Sequence, residues 1–219
     1  MALNIIIFLI GLALLWTPRS WLRLGKPQKS RKTLTPTGGP TRDRMPGDHS
    51  LWVEEEFKRR RNWLDFGRGI AGSLAVVVAT PSILDTVIAV PDMPTAKVAF
   101  ISQAVILFAA VLIQMIRVEE RLTLFPPIFF VLGLAFGVVG WKVAIIGFIA
   151  VWAINLVLPN PGVFLATYGG GIVILSVFLG AGVRPAVLMG LLAMAPPVIA
   201  VLFRRRLAQF RKRTKIAVR

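Results

Sequence analysis

The chain contains no cysteine, a single histidine and only 10 acidic residues among 219. Each scarcity removes a class of function. Without cysteine there are no disulfides, thiolate metal sites or cysteine nucleophiles. One histidine cannot build a His-rich metal or haem centre; His49 sits in a basic linker and reads as an exposed loop residue. The phosphate loop G-x-x-x-x-G-K-S/T, the zinc motif H-E-x-x-H and the nucleophile elbow G-x-S-x-G are all missing. No lysine lies between Pro185 and Phe203, so the last apolar stretch cannot carry a retinal Schiff base. No cofactor and no metal are expected.

What is present is charge of one sign on an apolar chain. The 26 lysines and arginines give a net charge of +16, yet 56% of residues are hydrophobic and 16% charged. Mean hydropathy is +0.73. A soluble nucleic-acid binder carries such charge but not that apolar fraction, and a soluble domain of this length rarely hides it. The combination predicts an all-α integral membrane protein with basic segments outside the bilayer.

A membrane helix needs about 20 apolar residues, because each adds about 1.5 Å across a hydrocarbon core about 30 Å thick. Ala2–Trp16 is short. It lacks the positive leader and small-residue cleavage site of a signal peptide, so 1–16 reads as a transmembrane anchor. Residues 17–50, rich in Pro, Gly, Thr and basic groups, read as a flexible linker. In 51–68, Asp48 or Ser50 can cap a helix start, and Glu54, Glu55 and Glu56 precede Lys58, Arg59, Arg60 and Arg61 at helical spacing. Val53, Phe57 and Leu64 share a face with Trp52 and Trp63 nearby, which predicts a basic amphipathic interfacial helix. The bland alternative is a solvated helix held by its own ion pairs.

Residues 69–203 then form a six-helix membrane domain. Gly69–Val90 and Lys97–Ile116 are two spans joined by Pro91-Asp92-Met93-Pro94. Leu124–Leu158 would be about 52 Å long as one helix, so it folds back, with the turn at Gly137, Gly140 and Lys142. Val163–Phe203 folds back at Gly182-Val183-Arg184-Pro185. The expectation is about seven transmembrane helices, or six with the first lying at the interface, followed by a basic tail, 204–219.

Charge sets the sides. Segment 17–68 carries 13 basic residues, 117–121 carries two and the tail eight; Lys97, Lys142 and Arg184 fall opposite. The positive-inside rule then puts the N-terminus outside and the C-terminus in the cytoplasm; with a prokaryotic source assumed, the membrane is the cytoplasmic one.

Few groups inside the spans carry chemistry. Asp85 is the one acid within an expected span; it is a candidate ion or substrate site, or simply a group near the outer end paired with Lys97. Gln103, Gln114 and Asn155 either join helices by hydrogen bonds or line a polar path. Gly133 and Gly137 form a G-x-x-x-G pair suited to close packing. Gly169, Gly170 and Gly171 either pack closely or, with Pro196 and Pro197, mark a broken transport helix. Arg59, Arg60, Arg61 and the tail residues Arg204, Arg205, Arg206, Arg211, Lys212 and Arg213 would contact anionic lipid or an acidic partner. Nucleic acid is disfavoured, since no recognition module accompanies the charge.

Two functions follow as expectations. The first is a non-enzymatic subunit or organiser of a membrane assembly, with other membrane subunits or further copies of itself as partners. The alternative is a small-solute or ion transporter or channel using Asp85 and a helix break at Gly169–Gly171.

Overall fold

A computed structural model describes residues 2–18, 21, 56–87, 95–118 and 122–203, and within them the apolar runs fold into seven α-helices. These are α1 (Ala2–Trp16), α2 (Arg60–Val87), α3 (Thr95–Met115), α4 (Ile128–Val138), α5 (Trp141–Ala153), α6 (Pro161–Phe178) and α7 (Val183–Leu202). A short 3-10 turn, Asn155–Val157, follows α5. Among the described residues the strands form one small antiparallel ribbon, Ile116–Val118 with Leu122–Leu124, in which Arg117 stands opposite Thr123.

The turns lie where the long apolar runs had to fold back. Gly140, at φ 83°, ends the α4–α5 connection, and Gly182, at φ 91°, stands directly before α7. Both are left-handed conformations that a side chain disfavours. The start of α6 is set by Asn160, whose Oδ1 accepts from the Val163 backbone N–H at 2.9 Å, with Pro161 at the first helical position.

Four helical stretches are long and apolar enough to cross a membrane: Arg60–Leu84, Ala96–Met115, Pro161–Phe178 and Val183–Leu202. The other three are shorter. α4 has 11 residues and α5 has 13, about 16 and 20 Å at 1.5 Å per residue. Part of the Leu124–Leu158 run is consumed outside helix, by Pro126-Pro127 before α4, the turn at Gly140 and the 3-10 turn after α5. Large apolar side chains such as Leu9, Val78, Val105, Ile149, Ile174 and Val201 face outward. Helices apolar on their outer faces fit a membrane-embedded protein.

The boundary expected at 68/69, between the 51–68 segment and the first span of the six-helix domain, falls inside one helix. Residues 51–55 lie outside the described residues. From Arg60 the chain is already in α2, which runs unbroken into the span expected to start at Gly69. Gly67 and Gly69 do not interrupt it, since neither adopts a positive φ. Phe57 packs toward the core and Arg60 and Arg61 are exposed, as an amphipathic helix requires, but the next turns differ. Asn62, Asp65 and Arg68 are buried, while Trp63 and Leu64 are exposed.

α2 is the organising element, packed against α1, α3 and α4; α7 packs against α6, α3 and α4, and α5 against α4 and α6. α4 is enclosed by these neighbours, and Ile128–Ala135 are all buried. An aromatic cluster joins the segment before α2 to this core. The Phe57 ring meets Trp63, Phe129, Phe148 and Trp152 edge-on, with centroids 5.4, 5.6, 6.0 and 4.9 Å away. Trp63 Nε1 donates to the Phe57 carbonyl at 2.9 Å, and Asn62 Nδ2 donates to Glu56 Oε2 at 2.6 Å. Phe57→Ala is expected to cost about 2 kcal/mol, from lost burial and ring pairing. Since Trp63 and Trp152 both touch the ring, tryptophan emission should shift to the red in the same variant. An unchanged spectrum would show that the ring does not shield them.

Candidate functional site

The densest polar site surrounds the C-terminal end of α1. A helix leaves its last carbonyls without partners and carries partial negative charge there. α1 has no basic residue in its last turn to answer this, so the answer comes from other helices. From α2, Arg68 donates through Nε and Nη2 to the Leu14 carbonyl at 3.0 and 2.8 Å, and through Nη2 to the Thr17 carbonyl. From α3, Gln114 Nε2 donates to the Leu15 and Thr17 carbonyls at 3.0 and 2.8 Å. One turn before Arg68, Asp65 lies 3.4 Å from its Nη1. Arg68 and Gln114 are each only 8% exposed, and Asp65 6%. A guanidinium at a carbonyl-rich helix end, with a carboxylate beside it, keeps a buried charge compensated.

The site therefore joins three helices at one point. Trp16 Nε1 adds a further tie, to the Ile106 carbonyl of α3 at 3.3 Å. Close contact between α1 and α2 accompanies it. A Cβ at Gly72 would stand 2.7 Å from two Leu15 side-chain carbons, and one at Gly11 2.9 Å from the Ala75 Cβ. The chemistry of this arrangement is positional: these hydrogen bonds, among the described residues, run to backbone carbonyls and to Asp65.

Among the sequence-expected site residues, only Gln114 belongs here. Gln103 is half-buried on α3, with Nε2 donating to the Val77 carbonyl of α2 at 3.1 Å. Asn155 is fully buried in the 3-10 turn. The backbone of Asp85 lies in α2, but its side chain is outside the described residues. Gly133 and Gly137 face α2. Gly169 meets α7, where an added Cβ would be 3.1 Å from the Ala193 Cβ and from the Gly190 carbonyl; Gly170 and Gly171 face open space. α6 runs unbroken through all three glycines, and α7 runs unbroken through Pro196 and Pro197. Arg59 pairs with Glu56 at 2.9 Å, one residue short of the i, i+4 spacing, while Arg60 and Arg61 are exposed. Arg204, Arg205, Arg206, Arg211, Lys212 and Arg213 lie outside the described residues.

Sequence reasoning counted Arg68 with the surface charge and passed over Asn62 and Asp65. The available signal was Asp65–Arg68 at i, i+3 on the threshold of an apolar run, together with an α1 that ends without a cation of its own. Comparison with family models, with curated proteins and with solved structures finds no match to this chain.

Proposed function

We propose that the protein is a non-enzymatic subunit or organiser of a membrane assembly, with a basic cytoplasmic face that contacts anionic lipid or an acidic partner. One observation carries this reading. The interior Arg68, Gln114 and Gln103 direct their donors at backbone carbonyls of neighbouring helices. Such groups fix helices against one another; they do not converge on a reacting centre.

The orientation belongs to the same proposal. The N-terminus lies outside, and 17–68, 117–121 and the tail lie in the cytoplasm of a prokaryotic cell. α4 and α5 act as a pair in this topology. A pair that crosses fully and a pair that turns within the bilayer return the chain to the same side, so the shortness of both helices leaves the assignment of the ends unchanged. Further copies of this chain or other membrane subunits would cover part of the apolar exterior. A transporter using a break at Gly169–Gly171 draws less support, since α6 is continuous there.

Gentle solubilisation followed by quantitative identification of co-purifying proteins tests the reading. A stoichiometric set of membrane partners, or a defined homo-oligomer, is expected. A monodisperse single chain that moves a solute at a saturable rate after reconstitution would overturn it.

A further inference from the structure

The shortness of α4 has a consequence at the other end of the bundle. α4 stops at Val138, and beyond that residue a cleft of about 360 Å³ lies between α2, α3 and α7. Val77 and Pro81 of α2 form one wall, Phe100 and Gln103 of α3 a second, and Leu188 of α7 a third. Ala96 and Ala99 on α3 also line it, and their small side chains help keep the space open. The volume lies within the range of small-molecule sites. An apolar cleft of this size suits a single hydrocarbon chain.

Polar groups define the two ends. Arg184 lies in the first turn of α7 and Ala96 in the first turn of α3, so both mark the mouth. Arg184 is exposed and has no ion-pair partner among the described residues. Gln103 lies eight residues into α3, about 12 Å further in. Its Nε2 bond to the Val77 carbonyl leaves the amide oxygen available to a second partner. Between these groups the lining is apolar.

We propose that this cleft binds a single-chain amphiphile with a carboxylate head, the chain packed against Val77, Ala99, Phe100 and Leu188 and the carboxylate paired with Arg184. One guanidinium matches one carboxylate in charge and in fork geometry; a phosphate monoester would bring a second charge without a second cation in the lining. The site goes beyond the assembly role and does not depend on it.

The test uses full-length protein in nanodiscs of phosphatidylcholine. Binding of radiolabelled dodecanoate is measured against empty discs, with dodecanol and dodecyl phosphate as competitors. Saturable one-to-one binding above the empty-disc level is expected, with dodecanoate displacing label more effectively than either competitor. Arg184→Gln should weaken binding about tenfold or more, as expected for loss of a charge-assisted bond, and Ala99→Phe should abolish it by filling the cleft. Arg184 is exposed, so its substitution leaves the fold intact and decides the matter should Ala99→Phe fail to fold. Binding no greater than in empty discs, equal displacement by dodecanol, stronger displacement by dodecyl phosphate, or affinity unchanged by Arg184→Gln would each overturn the proposal.

Discussion

Arg68→Met is expected to lower unfolding free energy by about 3–5 kcal/mol, the usual cost of removing one partner from a buried charge pair. The substitution keeps most of the side chain's apolar bulk but removes every donor. Asp65 is then left at 6% exposure without the cation 3.4 Å away. The Leu14 carbonyl loses both guanidinium bonds, whereas Leu15 and Thr17 keep Gln114. The damage should therefore centre on the junction of α1 with α2. The native chain has no cysteine, so Leu15→Cys supplies a single thiol at a position that is fully buried. In this background, thiol labelling should be slow while Arg68 is present and fast once methionine replaces it. The double variant Asp65→Leu with Arg68→Met should recover part of the loss, because an apolar pair avoids the desolvation cost of a buried charge. Unfolding and labelling both unchanged in Arg68→Met would show that the guanidinium does not hold α1.

The turns were legible in the sequence for a simple reason. Runs of 35 and 41 apolar residues exceed the bilayer, and Gly140 and Gly182 were among the few residues able to reverse them. Helix length was less legible. Hydropathy reads Asn155–Leu158 as a continuation of the span, yet the chain leaves the α-helix at Ala153. The fate of Arg68 was not legible at all. Its partners Leu14 and Thr17 are more than fifty residues away, and in a basic segment it looks like any surface charge. Local pattern gives the polarity of a stretch, but a charge is drawn inward only by a helix end that the fold brings beside it. Gly133 and Gly137 lie between these cases. The spacing announces a close contact, while the partner surface, Gly69 and Ser73 on α2, emerges only when the helices pack.

That contact supports a second large effect. A Cβ at Gly133 would run into the Phe66 carbonyl oxygen and stand 3.1 Å from the Gly69 Cα and the Ile70 N. A Cβ at Gly137 would overlap the Ser73 hydroxyl and stand 2.6 Å from the Leu74 N. Most of these are backbone atoms of α2, so no rotamer change relieves the clash, and the helices must separate. α4 is enclosed on all sides, so separation from α2 also disturbs its packing against α5 and α7. Gly133→Ala and Gly137→Ala are each expected to cost about 1–3 kcal/mol by overpacking. Gly170→Ala and Gly171→Ala make the same chemical change in a helix where nothing lies within 4 Å. They should be neutral or stabilising by up to about 1 kcal/mol, the intrinsic advantage of alanine over glycine in a helix. Unfolding of the four variants in one detergent separates the two contributions, because helix propensity changes identically in all. Opposite signs for the two pairs would locate the tight crossing at Gly133 and Gly137; the same sign and size for all four would mean that α2 and α4 do not approach so closely.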